Sequence, residues 1–131
     1  MTCKTDAAFD HGTMRAGFAW IFTVPTGFCF HQGSATEDSI SSLLMAEAIA
    51  LRHGVTTAVE LGLQKLIFLS DNQTLIRAIN NDTQVKEIFG IVKDIQRLSS
   101  DSVGFTFSHI SRSSNVAADS LAKRSLSSLL Y

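Results

Sequence analysis

The chain has 131 residues, 45% apolar and 18% charged, with eleven basic and twelve acidic side chains for a net charge of −1. Length and balance describe one compact domain, residues 1–131, with a real core; they exclude a disordered or fibrous chain. A charge near zero also argues against a protein held to a polyanion by electrostatics alone. Any grip on nucleic acid must then come from local patches and metal, and it should be weak and salt-sensitive.

No apolar run approaches the length of a membrane span, and the start, MTCKTDAAF, lacks the apolar region of a signal peptide. The expectation is an intracellular protein, in nucleus or cytoplasm, away from membranes. The first strand begins almost at Met1, so an upstream targeting segment or a larger parent chain stays open. KTDAAF (4–9) reads as that short strand, and Asp10-His11-Gly12-Thr13 as a turn. AGFAWIFTV (16–24) reads as the second strand, Pro25-Thr26-Gly27 as punctuation, and FCFHQG (28–33) as the third. Such short connections imply an antiparallel meander. Cys3 and Cys29 form neither a disulfide framework nor a zinc site and read as small reduced core residues. Trp20 and the nine phenylalanines also read as core.

The longest helical pattern runs from about Ser39 to Leu61, with apolar residues at 43, 44, 48, 51, 55, 58, 59 and 61. Ser41 or Ser42 supplies its cap and Gly62 its end. KLIFLS (65–70) is a continuous apolar run suited to a strand covered on both faces. Asp71-Asn72 caps a short helix through Leu75, Ile76 and Ile79, which Asn80-Asn81-Asp82 breaks. A second helix places Val85, Ile88, Phe89, Val92, Ile95 and Leu98 at helical spacing. Val103, Phe105 and Phe107 alternate as a strand, and ISRSSN (110–115) leads into a last helix from about Val116 to Leu129. Three strands, a helix, a strand, two helices, a strand and a helix make a mixed α/β sheet with helices on its faces. No heptad seam or apolar stripe argues for a dimer, so a monomer is expected.

Four acids sit in apolar surroundings within this order: Asp6, Glu47, Asp71 and Asp119. Glu47 lies three and four residues from Leu43, Leu44, Ala50 and Leu51, on the stripe that should be buried. Asp119 lies near Val116 and Ala122, and Asp71 follows a buried strand directly. Taken singly, each has an ordinary explanation. Glu47 could be satisfied by backbone or arginine, Asp71 could be a helix cap, Asp119 could pair with Lys123, and Asp6 could steady a turn. Taken together, packed like charges must protonate or bind a cation, which points to a divalent-metal site and phosphate chemistry.

The segments KTDAAF, AEAIALRHGV, LIFLSDNQTLIRAI and FSHISRSSNVAADSLAK span nearly the whole chain. In that order, with those acids, the sequence resembles the ribonuclease H fold. It is most similar to plant ribonuclease H-like domains, which are related to the ribonuclease H regions of retroelement reverse transcriptases. The resemblance implies a five-stranded mixed sheet, a meander followed by parallel strands, with helices on both faces. It implies a catalytic and metal-ligating set of Asp6, Glu47, Asp71 and Asp119 holding two Mg2+ ions, with Mn2+ a substitute. It also implies hydrolysis of the RNA strand of RNA/DNA hybrids, with His109 as a mobile auxiliary to proton transfer. Gln73, Asn115 and Arg112 are the implied substrate contacts, Asn115 being a helix cap first; Arg77 is a further basic candidate.

The chemistry suits these residue types on its own terms. Hard cations prefer oxygen ligands, and two ions about 4 Å apart can activate a water and stabilise a leaving 3′-oxygen. The lysine- and tryptophan-rich basic handle of some ribonucleases H has no counterpart between Ile79 and Val103, which holds only Lys86, Lys93 and Arg97. The alternative function is therefore a catalytically weak or inactive module of the same fold, derived from a retroelement, that binds nucleic acid or protein.

Overall fold

The computed structural model describes residues 1–102 and 104–130. Its strands are β1 (Thr2–Asp10), β2 (Arg15–Thr23), β3 (Cys29–Glu37), β4 (Leu66–Ser70) and β5 (Phe105–His109). Its helices are α1 (Leu43–Glu60), α2 (Gln73–Asn80), α3 (Phe89–Ser100) and α4 (Val116–Leu130). The five strands form one sheet in the order β3-β2-β1-β4-β5. The β1–β2 and β2–β3 pairs are antiparallel, and the β1–β4 and β4–β5 pairs are parallel. The expected meander and crossovers are both present.

Gly54 of α1 packs against Thr5, Cys3 and Trp20, whereas Gly17 of β2 packs against Ala122 and Leu126 of α4. Thr5 pairs with Trp20 and Ala8 with Gly17, so the two contacts involve opposite parities of each strand. Successive side chains point to opposite faces. Helices therefore cover both faces, α1 on one and α4 on the other. Asp6 pairs with Ala19 and shares the α4 face with Gly17.

Several sequence expectations need correction. β1 is not short, because it pairs with β2 over its full length, from Thr2↔Thr23 to Asp10↔Arg15. β3 extends to Glu37; its outer half is polar because it lies at the sheet's edge, where no apolar pattern is required. The same edge exposes Cys29, Phe28 and Phe30, and Phe89 is exposed on α3, so none of these is core. Cys3, by contrast, is fully buried.

α1 begins at Leu43, not Ser39, since Ser39 has φ 59°, a left-handed backbone that cannot start a helix. Ser42 caps it by accepting the Met45 N–H at 3.1 Å, and the Ser42 hydroxyl also bonds Glu87. Gly62, with φ 68°, ends it as expected. Within the pattern, Leu43, Val59 and Leu61 are exposed rather than buried. A 3₁₀ turn at Lys86–Ile88 precedes α3, so the second helix of the crossover starts later than its apolar spacing suggested. β5 carries Phe105 and Phe107 as expected; Val103 lies outside the described residues.

Candidate active site

Asp6 lies in mid-β1, Glu47 one turn into α1, and Asp71 directly after β4. Carboxylate oxygens of all three lie within 4.8 Å of one another. Asp6 and Glu47 are buried, and Asp71 is half-buried. The convergence follows from topology: β1 and β4 are parallel neighbours, so their carboxyl ends open side by side, where ligands collect in α/β sheets. Asn72, rather than Asp71, caps α2, accepting the Leu75 N–H at 3.0 Å. Asp71 is thereby left free to face the other acids.

The Ala7 N–H donates to Asp6 Oδ1 at 2.9 Å and to Glu47 Oε1 at 3.1 Å. Glu47 Oε2 is buried with no hydrogen-bond partner. Burial is the leading cause that raises both carboxyls, and Glu47 rises much further because the adjoining Asp6 carboxyl adds to it. An oxygen-only donor set, crowded and buried with one oxygen unsatisfied, fits a hard divalent cation.

Asp119 stands apart from this group. It is half-buried on α4, and its Oδ2 is engaged by Lys123 Nζ at 3.0 Å, the pairing at four-residue spacing that its sequence position allowed. It nevertheless lines the same open cleft of about 600 Å³, whose floor is formed by Asp6, Glu47 and Asp71.

The remaining candidates fall in different places. Gln73 and Arg112 are exposed and line the cleft. Arg77 is exposed and does not line it. His109 ends β5 opposite Ser70 in the ladder, one residue from Asp71, and is exposed outside the cleft lining. Asn115 is fully buried; its Nδ2 donates to Thr5 O at 2.9 Å and to Asp71 Oδ2 at 3.2 Å.

Sequence reasoning passed over His11, which lines the cleft with its ring edge-on to Phe9, centroids 4.7 Å apart. A signal existed: the β1–β2 turn must sit beyond the carboxyl end of β1, where the acids gather.

A five-stranded sheet in this order, with carboxylates collected where mid-β1 meets the end of β4, is the ribonuclease H fold. Residues 4–125 match the family described as reverse transcriptase-like, and the chain belongs to that family. Among solved structures, ribonuclease H1 from the archaeon Halobacterium salinarum superposes with a TM-score of 0.89 at 19% identity, over 97% of each chain. LC11 ribonuclease H1, isolated from compost and solved in complex with an RNA/DNA hybrid, gives a TM-score of 0.90 at 20% identity, over 99% of each chain. The ribonuclease H domain of prototype foamy virus gives 0.75 at 16% identity, over 95% of this chain and 92% of that one. No curated protein sequence matches the chain.

Proposed function

We propose that this protein is a divalent-cation-dependent endonuclease that hydrolyses the RNA strand of RNA/DNA hybrids. The observation that carries the reading is the meeting of Asp6, Glu47 and Asp71 within 4.8 Å on the floor of an open cleft. Glu47 Oε2, buried without a partner, gives that cluster an unmet need for a cation. Asp6, Glu47 and Asp71 would hold one Mg2+ or Mn2+, and Asp119 with Asp6 would hold a second. The bound ions would supply Lewis acidity to the phosphodiester and lower the pKa of an attacking water.

The chain's own residues do the rest. Ala7 N–H fixes the Asp6 and Glu47 carboxylates in one orientation. Arg112, exposed and lining the cleft, would meet a phosphate of the backbone. Gln73, at the start of α2, would meet a 2′-hydroxyl or a base edge. His109, beside the Asp71 strand end, would be the mobile auxiliary to proton transfer.

A second reading is favoured by the Lys123–Asp119 ion pair and the net charge of −1: a hybrid- or protein-binding module without turnover. The deciding experiment is cleavage of an end-labelled RNA/DNA hybrid in Mg2+ or Mn2+, beside RNA/RNA and DNA/DNA duplexes and an Asp71→Asn control. Hybrid-only, metal-dependent cutting that disappears in the control supports the enzyme. No cutting by well-folded protein in either metal leaves the binding module.

A further inference from the structure

The parallel ladder between β1 and β4 stops short of the acids at its end. Its register is Thr2↔Ile67, Cys3↔Phe68 and Lys4↔Leu69, and the Ile67 N–H donates to Met1 O. Carbonyls aimed at one neighbouring strand recur every second residue. After Met1, those aimed at β4 belong to Cys3 and Thr5, and a continued ladder would offer Thr5 O to the backbone N–H of Asp71. The pairing ends at Lys4 and Leu69 instead, and Thr5 O accepts the side-chain amide of Asn115 at 2.9 Å.

The same amide donates to Asp71 Oδ2 at 3.2 Å, and the Asn115 backbone carbonyl accepts the Asp119 N–H at 3.1 Å. One fully buried residue therefore bonds to the peptide preceding Asp6, the carboxylate of Asp71 and the backbone of Asp119. Neither acceptor, the Thr5 backbone carbonyl nor the ionised Asp71 carboxylate, can donate, so the NH2 end of the amide must face both. The other end, Oδ1, is buried with no partner. A half-satisfied buried amide costs stability. Its geometry makes sense if the amide serves to hold mid-β1 and the end of β4 apart at a fixed distance.

We propose that Asn115 is a positioning residue, not a substrate contact. It stands in for the missing rung between β1 and β4 and sets the spacing of Asp6, Asp71 and Asp119 for a divalent cation. This rests on the reading of the acids as metal ligands. The bridge calls for an amide of this length, because aspartate would add a further carboxylate against Asp71, and serine is too short to span Thr5 O and Asp71. With no exposed surface, Asn115 acts on metal affinity and turnover and leaves hybrid KM alone.

The test uses the whole chain, with Mn2+ binding measured by calorimetry for wild type, Asn115→Asp and Asn115→Ser, and hybrid cleavage measured for each. Binding about 10- to 100-fold weaker in both variants, with kcat reduced and KM unchanged, is the expected result. In the wild type, the Asn115 side-chain amide should give a slowly exchanging NMR signal that shifts on Mg2+ saturation. If wild type binds no Mn2+, the metal reading fails and this inference falls with it. If wild type binds and the variants bind equally well, or only KM moves, the positioning role alone is overturned. Should neither variant fold, the wild-type amide decides: rapid exchange, or indifference to Mg2+, overturns the proposal.

Discussion

Glu47 Oε1 accepts the backbone N–H of Ala7 at 3.1 Å, tying the second turn of α1 to the strand residue after Asp6. This contact brings two carboxyls together in a place shielded from water, and their protonation must then depend on the cation. Burial raises Asp6 to about 6 and Glu47 to about 10, against ordinary values of about 4. Both groups hold their proton more tightly in the folded chain than in the unfolded one. Metal-free stability is thus greatest below about pH 4 and falls as pH rises, first through about 6 and then toward 10.

Glu47→Gln should remove most of that dependence, because an amide keeps its hydrogens at every pH. Without metal at pH 8, the variant's Tm should exceed wild type by about 3 °C or more. Added Mg2+ should raise the wild-type Tm and leave the variant unmoved. A variant less stable than wild type at pH 8 would mean that Glu47 is already ionised and well paired.

A second cation held by Asp119, as proposed, would compete with Lys123 for its carboxylate. The Lys123–Asp119 pair is 3.0 Å long and partly exposed, a kind worth about 0–1 kcal/mol. Lys123→Met should change folding stability by less than about 1 kcal/mol and tighten Mn2+ binding by up to about fivefold. Calorimetry reads both stoichiometry and affinity. Weaker binding in the variant would show that the lysine helps to hold Asp119 in place.

The two halves of this site were unequally legible. Glu47 could be read from sequence because an acid at helical spacing among Leu43, Leu44, Ala50 and Leu51 contradicts its own surroundings. Asp71 could be read because KLIFLS is a strand whose next residue must emerge at its end, although the strand is buried on one face only, with Ile67 exposed on the other, and is not covered on both as its apolar run suggested. Asp119 looked equally buried, yet Val116 beside it is 60% exposed, and the helix turns its acid toward Lys123. Periodicity gives the face of a helix but not how deeply that face is covered. Asn115 was read as a substrate contact, and His11 was passed over, for a different reason. Asn115 bonds to Thr5, 110 positions earlier, a relation that leaves no local pattern, and His11 enters the cleft through the direction of a hairpin, which only the order of the elements makes legible. The exposure of Phe30 in β3, and of Phe28 just before it, follows from strand order, since composition does not say which strand lies at the edge.

Two glycines should separate stability from site geometry. A Cβ on Gly17 would collide with Ala122 O and lie 2.7 Å from Leu126 N, both backbone atoms of α4. A Cβ on Gly33 would lie 2.5 Å from the Trp20 ring, on the edge strand two strands away from β1 and its Asp6. Each alanine variant should cost about 1–3 kcal/mol by overpacking. Gly17→Ala must push α4, and with it Asp119 and Asn115, so its kcat on hybrid should fall about tenfold or more. Gly33→Ala should lose stability while keeping kcat. Equal kcat in both, measured well below their melting temperatures, would show that α4 can shift without disturbing the acids.

Salt should reveal how few contacts grip the substrate. Arg112 and Lys123 are the basic side chains among the residues lining the cleft, and the net charge of −1 supplies no long-range attraction. If these two neutralise two phosphates, the affinity for hybrid should fall with log salt at a slope of roughly −2. That is shallow for a nucleic-acid-binding protein. Arg112→Ala should reduce the slope by about one and raise KM several-fold, with kcat little changed. Fluorescence anisotropy with a labelled hybrid in Ca2+, across roughly 50–300 mM salt, measures the slope directly. A slope several units steeper would mean that Lys86, Lys93 or Arg97, on the α3 side of the fold, also meets the duplex.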